Sequence, residues 1–93
     1  MSETKNEDKL LAWTTATVCE VLEELARARA SFPLMASAHE GYAILLEEVD
    51  ELWDEIKKSP KKRDLAAMRK EAIQVAAMAI RLLEDVCDVD GDR

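Results

Sequence analysis

The chain has 93 residues, which is the size of one small domain. Hydrophobic residues make up 48% of it, which argues against intrinsic disorder, and two Gly and two Pro provide too few turns for an all-β fold. The net charge of −7 argues against a nucleic-acid polymer as a partner, because phosphate backbones bind basic surfaces, but it leaves open a nucleotide held through a cation.

The first helix is predicted over about residues 6–30. Residues on one face recur at spacings of three and four, which is typical of a helix with one buried side. They are Leu11, Thr14, Val18, Val21, Leu22 and Leu25. The segment Ser31-Phe32-Pro33 ends the pattern, because the residue before a proline is disfavoured in helical geometry.

The second helix is predicted over about residues 38–58. Ser37 and Glu40 have the spacing of a capping box at its start. An apolar stripe then repeats at three and four residues through Tyr42, Leu45, Val49, Leu52 and Ile56. Ser59 and Pro60 interrupt the pattern, and a basic loop follows them.

The third helix is predicted over about residues 65–86, with Asp64 as its N-cap. Its apolar stripe comprises Met68, Ala72, Val75, Ala79, Leu82 and Val86, and its opposite side carries Ala66, Ile73, Ala77 and Ile80. A helix that is apolar nearly all round is buried on two sides, and three helices of this length cannot cover it. We therefore predict a single all-α domain over residues 1–93, a three-helix subunit that forms a four-helix-type bundle through homo-oligomerisation, with residues 88–93 as a flexible tail.

Two acidic residues fall within these apolar faces. At about 100° per residue, Glu48 lies about 60° from the centre of its stripe, and Glu51 and Glu55 follow on the same flank. Glu71 lies about 40° from the centre of the stripe on the third helix. An ionised carboxylate in apolar surroundings is unfavourable unless a cation accompanies it. Either Mg²⁺ lies between Glu48, Glu51 and Glu71, or Glu48 and Glu71 pair with Lys or Arg.

The charges are segregated along the chain. Residues 40–55 contain seven acids and no base, whereas residues 57–70 contain seven bases and one acid. An acidic cluster that holds cations next to a basic segment that contacts phosphate is one interpretation. Charge pairing between two antiparallel helices, with a solvated loop, is the other.

The segment Glu47-Glu48-Val49-Asp50-Glu51 resembles the EExxE motif of the MazG-like, all-α nucleoside triphosphate pyrophosphohydrolases. In that family ExxD follows on the next helix, and Glu71-Ala72-Ile73-Gln74 takes that place here. The resemblance covers residues 39–85 and is greatest to the small, single-domain members with a HEGYAxLLEE-type start to the motif helix.

The resemblance implies a dimeric or tetrameric bundle that cleaves a nucleoside triphosphate, (d)NTP, between its α and β phosphates with Mg²⁺ or Mn²⁺. By motif position Glu48, Glu51 and Glu71 are the metal ligands, and Gln74 takes the fourth position, where the family has Asp. Gln is neutral and a weaker ligand for a hard cation. Glu47 or Glu55 is the candidate base that orients the attacking water.

Several residues are candidates for substrate contacts. The basic candidates for phosphate are Lys57, Lys61, Lys62, Arg63 and Arg69. Trp53 either stacks on a base across a dimer interface or packs in the core or interface. His39, in the first turn of the motif helix, either approaches substrate or is a capping or solvated side chain.

Three functions are compatible with the sequence: a Mg²⁺-dependent pyrophosphohydrolase, a MazG-like module that binds metal or nucleotide without turnover, and a structural bundle with salt-bridged acids. A cytoplasmic location is expected, because no apolar run reaches about 18 residues, residues 1–9 lack a signal-peptide pattern, and Cys19 and Cys87 form no CxxC unit.

Overall fold

Three helices make up the fold in the computed structural model, which describes residues 2–89. They are α1 (Ser2–Ser31), α2 (Ala38–Ile56) and α3 (Leu65–Leu82), and α3 continues into a π turn at Leu83–Cys87. The predicted all-α class is confirmed, since no strand occurs among residues 2–89. No helix within that range is both long and apolar enough to cross a membrane. Of the predicted tail, residues 90–93 lie outside the described residues.

The helix boundaries differ from the predicted ones by two residues or more at three places, the start of α1 and the ends of α2 and α3. α2 ends at Ile56 instead of at about residue 58. α1 begins four residues earlier than predicted, because the polar segment before Leu10 contains no Gly or Pro to interrupt a helix. α3 keeps α-helical geometry only to Leu82 and then widens into the π turn, where the backbone N–H of Asp88 donates to the carbonyl of Leu83 at 2.8 Å.

The helix starts use the predicted caps. Ser37 Oγ accepts from the backbone N–H of Glu40 at 3.1 Å, and the Glu40 carboxylate accepts from the N–H of Ala36 at 3.3 Å. The second bond goes to the residue before the N-cap, one position earlier than in a standard capping box. At α3, Asp64 Oδ1 accepts from the N–H groups of residues 66 and 67. These bonds satisfy N–H groups that have no partner inside their helix.

The core lies where α3 packs between α1 and α2. Its buried side chains are Leu25, Ala28, Ala77 and Met78, with Val21, Ile44, Leu45 and Ile80 packed around them. Ala77 is completely inaccessible to solvent. Ala77 therefore needs no partner chain to cover it, whereas Ile80 is only partly buried and the predicted oligomer stays a prediction.

Much of the remaining apolar surface is exposed. The exposed large side chains include Leu10, Leu11 and Trp13 near the start of α1, and Leu46, Val49 and Trp53 on α2. Val49 belongs to the predicted stripe of α2 yet is 40% exposed. No large side chain of the described residues is completely buried. One chain therefore buries only part of the apolar faces that its sequence encodes.

Gly41 allows α2 to approach α3 closely. A Cβ atom at position 41 would lie 2.5 Å from Leu82 Cδ1 and 3.2 Å from Met35 Sδ. We expect Gly41→Leu to lower the free energy of unfolding by about 1–3 kcal/mol, because a larger side chain must displace both neighbours. Denaturant unfolding, with Ala43→Leu at an exposed position of the same helix as the control, measures this. Equal losses in the two variants would contradict close packing at Gly41.

Candidate functional site

Three carboxylates from two helices converge at the interface between α2 and α3. Glu48 and Glu51 are separated by three residues on α2, a spacing that places them on one face of the helix, and Glu71 reaches them from α3. One oxygen from each residue lies within 4.8 Å of the others. The expectation that these three acids meet is confirmed by the geometry.

The three acids form an electrostatically unfavourable cluster. Burial, together with the charges of Glu51, Glu71 and Glu47, raises the pKa of Glu48 to about 7. Burial and Glu51 also raise the pKa of Glu71, against the opposing charge of Lys70. Among residues 2–89, no Lys or Arg forms an ion pair with Glu48, Glu51 or Glu71. The alternative in which these acids are salt-bridged is therefore not realised within the described part of one chain.

Gln74 lies against the same cluster. With its amide nitrogen facing the acids, it donates to Glu48 Oε2 at 2.8 Å and to Glu71 Oε2 at 3.1 Å. The side chain thus links α2 to α3 and partly offsets the repulsion between the two carboxylates. A half-turn of the amide would bring its carbonyl oxygen, the group that can ligate a cation, to the same place.

The cluster fits a hard divalent cation better than it fits a soft metal. All its donors are carboxylate oxygens, which Mg²⁺ and Mn²⁺ prefer, and it contains no thiolate or imidazole. Glu51 is exposed, so water can reach the cluster and complete the coordination of Mg²⁺, which keeps several waters. Glu48, Glu51 and Glu71 therefore provide the type of ligand that Mg²⁺ or Mn²⁺ requires.

The two candidate bases lie on different sides of the cluster. Glu47 raises the pKa of Glu48 by its charge and lines the adjacent cavity. Glu55 raises the pKa of Glu71 but forms an ion pair with Lys58 at 2.9 Å. Glu47 is consequently the better placed of the two to orient a water at the cavity.

A cavity of about 460 Å³ opens beside the carboxylates, which is within the size range of small-molecule sites. Its edge nearest the cluster is formed by Glu47, Glu48 and Gln74. Its apolar wall comprises Ala28, Phe32, Pro33, Ile44 and Met78. Two cationic side chains, Arg27 and Arg81, also line it. The cavity thus combines an apolar wall with both signs of charge.

Most of the basic residues predicted to contact phosphate lie away from this cavity. Lys57, Lys61, Lys62 and Arg63 are at the end of α2 or in the loop after it, and none of them lines the cavity. Position 57 is nine residues beyond Glu48, or about 13 Å along the helix. Lys57 pairs with Asp54 at 2.9 Å, and Arg63 donates to the carbonyl of Ile56 at 2.8 Å. Lys57 and Arg63 therefore interact with the end of α2.

The other three candidates for substrate contacts are also outside the cavity. Arg69 forms an ion pair with Glu20 that links α3 to α1, and both line a second, polar cavity of about 310 Å³. Trp53 is 56% exposed, so it is not a core residue of the single chain. His39 is exposed in the first turn of α2. The structure thus brings together the predicted carboxylates but not the predicted substrate contacts.

The cavity includes residues that the sequence pattern did not single out. α1 contributes Arg27 and Ala28, and the segment after it contributes Phe32 and Pro33. Arg81 carried a signal that could have been recognised, because it is the single charged residue in the apolar run 75–83. Phe32 carried a weaker signal, since it is one of four aromatic residues and lies at a helix end.

Comparison with family models, with curated proteins and with solved structures gives no match to this chain.

The raised pKa values predict how stability depends on pH without metal. A carboxyl whose pKa is higher in the folded state than in the unfolded state, where it is near 4.5, stabilises the fold when the pH is below 4.5. This contribution is lost as pH rises from 4.5 through the folded pKa of Glu48, about 7. We therefore expect the Tm of the wild type in EDTA, relative to that of Glu48→Gln, to fall between pH 5 and pH 8. A constant difference between the two melting curves would contradict the raised pKa.

Proposed function

We propose that the protein is a Mg²⁺-dependent nucleoside triphosphate pyrophosphohydrolase of the MazG-like type, which converts (d)NTP to (d)NMP and pyrophosphate. The observation that carries this proposal is the convergence of Glu48, Glu51 and Glu71 within 4.8 Å, without a cationic partner among residues 2–89, at the edge of a cavity large enough for a nucleoside. The resemblance of the motif at 47–51 supports the same reaction.

Each residue of the site has a role in this reaction. Glu48, Glu51 and Glu71 would hold the cation, which when bound neutralises phosphate charge and lowers the pKa of water. Glu47, at the cavity edge, orients the attacking water and accepts its proton. Gln74 holds Glu48 and Glu71 in place through its amide.

Different parts of the cavity suit different parts of the substrate. The apolar wall with Phe32 suits a nucleobase and sugar, and the acidic edge suits the metal-bound phosphates. Arg27 and Arg81 can donate only, so they suit phosphate oxygens or acceptor atoms of a base. The substrate contacts in this proposal are consequently these residues of the cavity and not the loop cations.

A panel of ribo- and deoxyribonucleoside triphosphates tests the enzyme proposal. We expect Mg²⁺-dependent release of pyrophosphate together with the monophosphate, and no release in EDTA. Release of inorganic phosphate instead would indicate cleavage at the γ position and contradict the proposed bond. Absence of turnover with every nucleotide would remove the enzyme proposal.

A module that binds metal and nucleotide without turnover is the second candidate. It is favoured by one observation, that the neutral Gln74 donates to the carboxylates. The variant Gln74→Asp separates the two candidates. It should create pyrophosphate release in an inactive binding module, whereas an active wild type needs no such change.

We further propose that the chain works as a homodimer or homotetramer. The exposed apolar side chains on α1 and α2, among them Trp13, Val49 and Trp53, are the surfaces that support this.

The exposed free thiols of Cys19 and Cys87 are compatible with a reducing compartment, which supports a cytoplasmic location.

Sedimentation at micromolar concentration is expected to give a mass of two or four chains. Replacing Val49 with Asp should shift the population towards the monomer, because a charge would then be buried in an apolar interface. Asp50→Asn on the polar side of α2 is the matched control and should leave the mass unchanged. A monomeric wild type would contradict the oligomer.

A further inference from the structure

A second group of charged residues lies behind the cavity, and the acid at its centre has no role in the proposed reaction. Its centre is Asp85, whose side chain is completely inaccessible to solvent. Asp85 Oδ2 accepts from the backbone N–H of Met35 at 3.0 Å, and Oδ1 accepts from Arg29 Nη1 at 3.0 Å. Arg81 Nε lies 4.0 Å from Oδ2. One carboxylate therefore connects α1, the segment between α1 and α2, and the end of α3.

The π turn is what carries Asp85. An α-helix holds 3.6 residues per turn, whereas the i to i+5 bond from Asp88 to Leu83 encloses an additional residue. The turn changes the direction of side chains at 83–87 relative to α3. Turns of this kind are uncommon in α-helices and occur frequently at functional sites.

The segment that Asp85 holds forms part of the cavity wall. Phe32 and Pro33 line the cavity, and the Asp85-bound N–H of Met35 lies two residues further on. Arg81 Nη2 donates to the carbonyl of Pro33 at 2.9 Å, so the guanidinium ties the same wall to α3. The wall is thereby fixed from two sides by an acid and a base four residues apart.

Arg81 also has unused capacity to donate. Its side chain is 4% exposed and lines the cavity, and among the described residues its Nε has no hydrogen-bond partner. Its Nη1 donates to the sulfur of Met78 at 3.4 Å, which is a weak acceptor. A ligand in the cavity that presents an acceptor atom would be a better partner.

We propose that Asp85 is a positioning residue: it holds Arg81 and the Phe32–Pro33 wall in the arrangement that binds the nucleoside part of the substrate. This inference rests on the proposed function for the identity of the ligand. It does not require Asp85 to touch substrate or the carboxylates, since it acts through Arg81 and the wall.

The variant Asp85→Asn tests the role in binding. Asn offers one acceptor oxygen where Asp offers two, and its NH₂ group would face guanidinium donors. We expect KM for the preferred nucleotide to rise about 10-fold, with kcat within about 3-fold of the wild type, because loss of a charge-assisted bond behind the cavity removes uniform binding. A fall in kcat at unchanged KM, or no change, would overturn the proposal.

Glu84→Gln is the matched control. Glu84 accepts from the same Arg29 at 2.7 Å, yet its side chain is 49% exposed. Its replacement should leave KM unchanged. An equal rise in KM for both variants would show that loss of charge near Arg29 is sufficient, and would overturn the specific role of Asp85.

Amide hydrogen exchange of the wild type tests the anchor without any substrate and without dependence on the fold of a variant. Met35 lies outside the helices, yet we expect its N–H to exchange at least about 10-fold more slowly than that of Leu34, because Asp85 accepts from it. Fast exchange at Met35 would overturn the proposal. If Met35 is protected but no nucleotide is hydrolysed or bound, the proposed function is wrong, and so is the role of Asp85 in substrate binding. The structural contact between Asp85 and Met35 would still be confirmed.

Discussion

Glu48→Gln is expected to abolish Mg²⁺-dependent pyrophosphate release and to weaken Mg²⁺ binding by at least about 100-fold. Replacing groups that only support metal ligands costs about 10–100-fold, and Glu48 is proposed as a ligand itself. Burial and the neighbouring acids also raise its pKa to about 7, so its ionised form gains from a bound cation. Calorimetric titration with Mg²⁺ and a pyrophosphate assay measure the two effects.

Asp50→Asn provides the control for this substitution. It removes one negative charge two residues away on the same helix, but from an exposed position outside the cluster. We expect it to retain Mg²⁺ affinity and turnover. Circular dichroism should show both variants folded, because Gln at position 48 relieves repulsion with Glu51 and Glu71. Wild-type Mg²⁺ affinity in Glu48→Gln would contradict the metal site and favour a structural bundle.

The parts of the fold that depend on local sequence could be predicted. Proline and the capping residues Ser37 and Asp64 determine where helices end and begin, and the structure uses both caps. The meeting of Glu48 with Glu71 also follows from helical periodicity, because an acid within an apolar face must lie at a helix interface. These features depend on spacings of a few residues, which the sequence displays directly.

The cavity could not be predicted in the same way, because it depends on how α1 approaches the other helices. Arg27 and Phe32 reach it from segments that are 42–54 residues away from Gln74 and Arg81 in sequence, and no periodicity records that distance. The segregation of charge along the chain wrongly suggested that the basic segment contacts phosphate at the site. Arg63 satisfies a carbonyl at the end of α2, which is a local need of the helix.

The π turn was hidden by an apolar pattern that continues smoothly to Val86. In hindsight the pair Arg81 and Asp85, four residues apart beside that pattern, is the sign that an acid is buried there. Arg81 and Asp85 are interior residues because the end of α1 and the segment after it contact them, through Arg29, Pro33 and Met35.

Asp85→Ala is expected to cause the largest loss of stability among the substitutions considered, about 3–5 kcal/mol in the free energy of unfolding. Removing one member of a buried ion pair leaves the other charge without compensation, and Arg81 is only 4% exposed. The substitution also leaves the N–H of Met35 without its acceptor. Denaturant unfolding at pH 7 measures the loss.

Glu84→Ala separates this effect from a general loss of charge beside Arg29. Its ion pair is partly exposed, so we expect a loss of no more than about 1 kcal/mol. Similar losses for the two variants would contradict a special role for the buried acid.

The pH dependence of Asp85→Ala gives an independent check with a definite sign. Burial alone would raise the pKa of Asp85. The Met35 N–H and the Arg29 guanidinium lower it by a larger amount, so the pKa of Asp85 lies below its ordinary value of 3.8. A carboxyl of this kind stabilises the fold above its unfolded pKa, and the contribution is lost as pH falls through its folded pKa. The gap in stability between the wild type and Asp85→Ala should therefore be constant near neutral pH and narrow in acid below 3.8. This direction is opposite to that expected for Glu48, because cations and a backbone N–H surround Asp85 whereas acids surround Glu48.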